Sequence, residues 1–237
     1  MEILLGADPE TFLTLSGKFV SAHGLLPGTK EHPFEVDKGA IQVDGLALEF
    51  NIKPAKTPDE FNSNIETVLA SMKEMVSKVD KDLKINFTPF AEFDVKYFKE
   101  EVPDAAKILG CDPDFESVVG SVKEMNKDLT NLPFRTAAGH IHIGWTKDED
   151  PFNPVHFEDA RYIAEYFRGR GYHPGSYRSL SAAERRRLEY YGNRGAFRPK
   201  PYGVELRQYS NLWVENEKSR KEAFTYIHKG VMSLYKR

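Results

Sequence analysis

The sequence predicts one α+β domain, residues 1–237, built around a largely antiparallel β-sheet. Three observations lead to this prediction. Several segments alternate apolar and polar residues with the two-residue period of a strand, and others place apolar residues at helical spacing. The two kinds of segment do not alternate regularly along the chain, which argues against a parallel βαβ arrangement. The 237 residues, of which 40% are hydrophobic, can bury one sizeable core.

The first predicted strands are residues 2–5 and 11–15, separated by the stretch GADPE. We expect Pro9 to occupy an edge or a bulge, because proline lacks the N–H that a central ladder needs. The segment 41–52, IQVDGLALEFNI, alternates and places its apolar and polar side chains on opposite faces. Further strands are predicted in the segments 85–95, 135–145 and 202–210.

The clearest predicted helix begins after Thr57. Thr57 is a good N-cap, Pro58 suits the first helical position, and Glu60 completes a capping box. An apolar stripe at helical spacing continues through residues 61–79, which is typical of a helix packed on a core. Three more helices are predicted: one in 154–169, one that begins at Ser181 with Glu184 as its capping partner, and one in 215–236.

Composition indicates an intracellular environment. Cys111 is the single cysteine, which excludes an internal disulfide and suits a reducing compartment. The first ten residues lack the features of a signal peptide, and no segment approaches the roughly 18 apolar residues of a bilayer-spanning helix. The net charge of −3 does not favour nucleic acid as a partner of the whole molecule. We therefore expect a cytoplasmic protein without a membrane partner.

Four predicted strands each carry two polar residues at positions two apart, so that both members project from the same face. The pairs are Asp8 with Glu10, Glu49 with Asn51, His140 with His142, and Glu205 with Arg207. One such pair is common on a solvated strand face. Four of them indicate a shared face lined with carboxylates, imidazoles and a guanidinium. These ligands suit Mg²⁺ or Mn²⁺, and the lack of cysteine partners argues against a structural zinc site.

The segment 168–200 is unusually basic, with eight arginines and one lysine against two glutamates. A solvated helix face explains part of this charge. Arg194 and Arg198 lie instead in a glycine-rich loop directly before the strand of Glu205. Their planar guanidinium groups, and that of Arg135 just ahead of the histidine pair, are candidates for binding phosphate oxygens.

Five sequence blocks, in this order, resemble those of the phage-type carboxylate–amine ligases (amidoligases), distant relatives of glutamate–cysteine ligase and glutamine synthetase. The blocks are GADPE, LPGTK (26–30), GAIQVDGLALEFNIKPA (39–55), RTAAGHIHIGW (135–145) and YGNRGAFRPKPYGVELRQYSNLW (191–213). The likeness therefore covers most of the chain. The segment between His156 and Arg187 departs from the family pattern, because it is compacted and more basic.

The resemblance implies a curved antiparallel sheet with helices packed on its convex face, and ATP with divalent cations on the concave face. Together with the polar pairs and the basic segment, it leads to three predicted sets of site residues. The metal ligands are Asp8, Glu10, Glu49, His140 and Glu205. The nucleotide-binding residues are Lys30, His142, Arg194 and Arg198. The catalytic phosphate contacts are Arg135, Arg198 and Arg207.

The predicted function is an ATP-dependent carboxylate–amine ligase that forms an amide through an acyl phosphate, with Mg²⁺ or Mn²⁺ as cofactor. Its substrates would be a small-molecule or peptide carboxylate and an amine. The chain lacks a GxxxxGK[ST] phosphate-binding loop. The first alternative is a metal-dependent hydrolase that uses the same cluster. The second is a nucleic-acid-binding module that uses the basic segment 168–200, with Tyr190, Tyr191 and Phe197 as stacking groups. A cupin-like oxygenase fits less well, because the next acids after the histidine pair are Asp148 and Glu149.

Overall fold

The computed structural model of the chain describes residues 2–108, 114–123, 129–171, 173–175 and 179–235. The described residues form an α+β structure with a mostly antiparallel sheet, as the sequence predicts. The expectation about Cys111 concerns a residue outside these ranges.

Strands in the described residues are β1 (Leu4–Leu15), β2 (Lys18–Val20), β3 (Phe34–Val36), β4 (Gly39–Asp44), β5 (Ala47–Ile52), β6 (Lys84–Asn86), β7 (Phe90–Glu92), β8 (Asp114–Glu116), β9 (Val122–Lys123), β10 (Phe134–Thr136), β11 (Gly139–Gly144), β12 (Ala196–Lys200) and β13 (Gly203–Leu206). The helices are α1 (Pro58–Val79), α2 (Val95–Glu100), α3 (Asp104–Lys107), α4 (Pro154–Arg168), α5 (Ala182–Leu188) and α6 (Glu217–Leu234), with a 3₁₀ helix at Asn211–Val214.

Eleven of the strands form one large sheet whose order is β3-β4-β5-β1-β11-β13-β12-β8-β9. Strands β2 and β6 both pair with the second half of β1, and β7 with β10 forms a separate two-stranded sheet. Strand β1 is therefore central, between a hairpin of the first 52 residues and strands from the second half of the chain.

The prediction of two strands interrupted at GADPE is wrong, because β1 continues from Leu4 to Leu15 without a break. The sequence was nevertheless informative about Pro9. From the Leu5–Ala55 bridge to the Glu10–Glu49 pair, β1 advances five residues while the opposite segment advances six. The opposite segment therefore contains one extra residue. Pro9 lies within this shift of register, where the ladder to β5 does not need its missing N–H.

Four other predicted strands are shorter or more divided than expected. Segment 135–145 contains β10 and β11, which belong to different sheets. Segment 41–52 forms the two strands β4 and β5, joined by a turn in which Gly45 has a φ of 57°. Segment 85–95 contains β6 and β7, which belong to different sheets. The last predicted strand ends at Leu206, so Arg207 lies directly after β13.

The four predicted helices are confirmed to within a few residues. The side chain of Thr57 caps α1 by accepting the Glu60 N–H at 3.1 Å. The Glu60 carboxylate accepts from the N–H of Lys56 and not from that of Thr57, so the capping box is displaced by one residue. Helix α5 has the complete box between Ser181 and Glu184.

Helices α1, α4 and α6 cover one face of the large sheet. Apolar side chains that alternate along the strands pack against them, including Phe50, Ile141, Phe197 and Val204. Burial of this face removes apolar surface from water and stabilises the arrangement. The opposite face, which carries the alternating polar side chains, is left for a site. Among the described residues, no helix combines the length and apolar character that crossing a bilayer requires.

Candidate functional site

The strand register brings the polar pairs together on one face of the large sheet. Residues directly opposite each other on paired strands project from the same face. Asp8 of β1 pairs with His140 of β11, and Glu10 pairs with Glu49 of β5. His142 pairs with Glu205 of β13. The pairs that the sequence singled out are therefore neighbours in space, although they lie up to about 200 residues apart in the chain.

This face forms the floor of a polar cavity of about 390 Å³. Its ionisable lining residues are Asp8, Glu10, Lys30, Asp44, Glu49, Arg135, His140, His142, Tyr191, Arg198, Lys200 and Arg207. Glu205 lies beneath them, with only 1% of its surface exposed. A cavity with this much convergent charge is a candidate binding or catalytic site.

The first acidic cluster consists of Asp8, His140 and Glu205, and we call it the Asp8 cluster. His140 Nδ1 lies 3.3 Å from Asp8 Oδ1 and 3.4 Å from Glu205 Oε1. One ligand atom of each residue lies within 4.8 Å of the others. Two carboxylates and one imidazole on three adjacent strands can hold a divalent cation.

The acids of the Asp8 cluster are held in their ionised form. Burial opposes the charge of Asp8, but His142 and His140 outweigh it and hold the pKa of the carboxyl well below its usual range. Burial also opposes the charge of Glu205, but Arg207, His140 and His142 together outweigh it, so the pKa of Glu205 is far below its ordinary value. Burial, followed by Arg207, lowers the pKa of His140 and favours the neutral imidazole that metals bind.

A tyrosine contacts the far side of each histidine. The hydroxyl of Tyr191 lies 3.0 Å from His140 Nε2. The hydroxyl of Tyr202 contacts Nδ1 of His142, whose Nε2 lies 2.9 Å from Asp8 Oδ1. Contacts of this kind fix the orientation and the tautomer of a ligating imidazole.

The donor atoms of the Asp8 cluster could hold a metal ion. Asp8 Oδ1 and His142 Nε2 are buried, and among the described residues their close contact lacks the alignment of a hydrogen bond. The oxygen is therefore poorly satisfied by its protein neighbours. Oxygen-rich ligands with one imidazole are the donor set that these cations accept.

A second acidic cluster, the Glu10 cluster, consists of Glu10, Asp44 and Glu49, and it has the opposite protonation behaviour. Burial and the neighbouring Asp44 raise the pKa of Glu10 to about 8. Burial, Asp8 and Glu10 raise the pKa of Glu49 well above its usual value, and burial raises that of Asp44. Burial and mutual repulsion among the three carboxyl groups thus favour their protonated forms.

Three basic side chains surround Glu205. Lys200 Nζ lies 2.8 Å from Glu205 Oε2, and Arg198 Nη1 lies 3.8 Å from the same oxygen. Arg207 contacts the other oxygen of Glu205 and also contacts Asp114. These cations balance the carboxylates of Asp8, Asp114 and Glu205. A bound divalent cation would therefore make this part of the cavity positive.

Two predicted phosphate contacts are not placed for that role. The guanidinium of Arg135 borders the cavity, but its terminal nitrogens donate to backbone carbonyls, including Lys107 O at 2.7 Å and Leu132 O at 2.9 Å. Burial lowers the pKa of Arg135 to about 10. This residue holds the segment before β10 in place. Arg194 is exposed and is not part of the cavity lining. Lys30 does border the cavity from an exposed loop.

Several cavity residues were not selected as site residues from the sequence. Gln42 and Asp44 are two apart on β4, and Lys200 is two after Arg198 on β12, so the same alternation could have found them. Gln42 Nε2 donates to Glu49 Oε2 at 3.0 Å. Asp114 and Tyr202 had no local signal, and Tyr191 was selected only as a stacking group of the nucleic-acid alternative. Their positions depend on the pairing of β8 with β12 and on the loops that flank β12.

No protein-family model matches this chain, and no curated protein matches it with significant sequence similarity.

Proposed function

We propose that the chain is an ATP-dependent carboxylate–amine ligase that uses Mg²⁺ or Mn²⁺. One observation carries the proposal: a ligand set suited to a divalent cation, the Asp8 cluster, lies directly beside Arg198, Lys200 and Arg207. The protein charges there are balanced, so a bound cation would create an excess of positive charge. Such a site attracts an anionic triphosphate next to a carboxylate.

The first chemical step joins two anions. A carboxylate oxygen of the substrate attacks the γ-phosphorus of ATP, the bond to the β,γ-bridging oxygen breaks, and ADP leaves. The product is an acyl phosphate. Arg198 and Lys200 would neutralise the phosphate oxygens during the transfer, and such neutralisation is a main requirement of phosphoryl transfer.

The second step forms the amide. The nitrogen of a neutral amine attacks the acyl carbon, the bond from that carbon to the phosphate oxygen breaks, and inorganic phosphate leaves. A base must accept a proton from the attacking nitrogen. Glu10 can do this only after its carboxyl, whose pKa is about 8, ionises, whereas Asp8 already contacts His142 and Glu205 already contacts His140.

The residues that would hold a divalent cation are Asp8, His140 and Glu205, with the Glu10 cluster as a second set of oxygen ligands. When bound, the cation would supply charge neutralisation for the phosphate oxygens. Tyr191 would orient the His140 ring through its contact with Nε2.

Replacement of Glu205 by glutamine tests the proposal. Glu205→Gln keeps the side-chain volume but removes the charge that lies among three cations and a candidate metal ligand. We expect turnover of ATP in the presence of a carboxylate and an amine to fall by roughly 10²-fold or more. The measurement is phosphate release, combined with identification of the amide product by mass.

The matched control is Glu158→Gln, which neutralises a glutamate on α4 that pairs with Arg161. This variant should keep the activity of the unaltered chain. Wild-type turnover in Glu205→Gln would contradict the proposal. ATP hydrolysis that needs neither a carboxylate nor an amine would point instead to the hydrolase alternative.

Nucleotide binding should depend on the divalent cation. Without the cation, the negative charge of three carboxylates neutralises the three basic side chains, so no excess positive charge attracts the phosphate groups of ATP. Calorimetry of ATP binding with Mg²⁺ or Mn²⁺ should give measurable affinity, and a chelator should abolish it. Equal affinity in both conditions would contradict the proposed role of the cation.

A further inference from the structure

A second cavity lies on the same face of the large sheet, beyond His142, and it is largely apolar. Its volume is about 280 Å³. The lining consists of Leu4, Gly6, Ala7, Asn51, Ile52, Pro54, His142, Gly144, Thr146 and Tyr202. None of these residues carries a formal charge at neutral pH except His142, when it is protonated. The cavity therefore differs in chemistry from the polar cavity beside it.

Two glycines explain why this cavity exists. Gly6 of β1 and Gly144 of β11 occupy positions whose side chains would project from the polar face, next to His142 and Leu4. Since neither has a side chain, the backbone itself forms the floor. A Cβ added at Gly6 would lie 3.6 Å from His142 Cβ, and one at Gly144 would lie 3.6 Å from Tyr202 O. Both are ordinary contact distances, and neither glycine has a positive φ. The space is thus real and can be filled by substitution.

His142 and Asn51 line both cavities and mark where they adjoin. The His142 ring faces Asp8 through Nε2 and stacks on Tyr202, with ring centroids 5.8 Å apart. A ligand that reaches from the Asp8 cluster past His142 would therefore leave a charged environment and enter an apolar one. A charged group in the second cavity would lose hydration without gaining a partner.

We propose that the apolar cavity binds an uncharged, apolar group of the carboxylate substrate, such as an aliphatic chain. This inference rests on the proposed function, because the carboxylate end of the same molecule is placed among the cations of the polar cavity. The carboxylate substrate is favoured over the amine because the apolar cavity adjoins the candidate metal ligands, where the carboxylate must lie to be phosphorylated. Burial of each added methylene would raise affinity roughly threefold to fourfold.

The test measures binding of acetate, butyrate and hexanoate by calorimetry with Mg²⁺ present. The unaltered chain should bind hexanoate more tightly than acetate by a factor on the order of 100. Gly144→Val fills the cavity with methyl groups and should reduce this ratio at least tenfold. Use of the ratio cancels changes in the polar cavity that affect both carboxylates.

The matched control is Gly169→Val at the end of α4, where an added side chain meets no atom within 4 Å. This variant should keep the ratio of the unaltered chain. Thermal unfolding of each variant verifies that it is folded, and Gly6→Ala provides a second, milder filling of the cavity. A ratio near 1 in the unaltered chain, or an unchanged ratio in a folded Gly144→Val protein, would overturn the inference.

The outcome separates this inference from the proposed function. If chain length raises affinity but no carboxylate and amine pair supports ATP turnover, the apolar site stands and the ligase proposal fails. If acetate is ligated as readily as hexanoate, the ligase proposal stands and the apolar site is refuted. If hydrophobic amines show the chain-length effect and carboxylates do not, the assignment to the carboxylate is overturned.

Discussion

At the level of single residues, Asp8 and Glu10 lie two positions apart on β1 but differ in charge. Asp8 faces two imidazoles and is ionised, whereas burial and the nearby Asp44 raise the pKa of Glu10 to about 8. The difference arises from the neighbours that the strand pairing provides and not from the residue type. Two acids with pKa values driven apart can perform different tasks in one site.

Stability should fall as pH rises because of the Glu10 cluster. The folded chain holds protons on Glu10 and Glu49 at pH values where the unfolded chain, with an ordinary glutamate pKa of 4.5, has released them. The unfolded state then binds fewer protons, so the free energy of unfolding decreases from about pH 5 up to about pH 8. Thermal unfolding of the metal-free chain across this range measures the decrease.

Glu10→Gln should reduce this pH dependence, because one of the acids that must ionise is absent. The exposed Glu158→Gln variant should retain the full decrease. An equal slope in both variants would show that Glu10 is ionised in the folded state throughout the range.

At the level of secondary-structure elements, the helices depend mostly on local sequence. Thr57, Pro58 and Glu60 form a start signal, and the apolar spacing that follows is a property of α1 alone. The extent of each strand depends instead on the strands with which it pairs. Residues 2–15 contain a proline that suggests a break, yet β1 continues because the neighbouring strand shifts its register beside Pro9.

Loss of the α1 cap should destabilise the chain. Thr57→Ala removes the oxygen that accepts the Glu60 N–H, and we expect the free energy of unfolding to fall by about 1 kcal/mol. Urea denaturation measures the change, and Thr57→Ser should retain most of the stability. Thr67→Ala, in the interior of the same helix, should not lower stability, because alanine is the better helix former there. Equal losses at both positions would refute the capping role.

At the level of the whole molecule, the candidate metal ligands become neighbours only when three strands pair. Asp8, His140 and Glu205 belong to β1, β11 and β13, and the unfolded chain holds them far apart. A cation that binds this cluster binds the folded state selectively. It therefore couples the two halves of the chain and stabilises the fold by mass action.

Mg²⁺ or Mn²⁺ should raise the unfolding temperature. At a concentration 100 times the Kd, the expected stabilisation is about 2.7 kcal/mol, which corresponds to roughly 5–10 °C for a chain of this size. Asp8→Asn should remove most of this increase, and Glu158→Gln should keep it. A metal-independent unfolding temperature in the unaltered chain would argue against the site.

Much of the site face was predictable because side-chain direction alternates along a strand. This local rule identified Asp8, Glu49, His140 and Glu205 without knowledge of the partners. The prediction for Arg135 came from its position just ahead of the histidine pair and not from this rule, and the loop before β10 supplies backbone carbonyls beside it. Those carbonyls bind its guanidinium.

The sequence by itself determined the class of fold, the start and length of the principal helices, and the polar side of each central strand. These properties depend on residues close to one another in the chain. Backbone geometry sets the period with which side chains alternate along a strand or recur along a helix. The tertiary structure alone decided which strands are neighbours and in what register. It thereby decided which acids are ionised, which arginines border the cavity, and that two glycines leave an apolar space beside His142. Pairing between distant segments depends on the packing of the whole chain, and no local pattern encodes it.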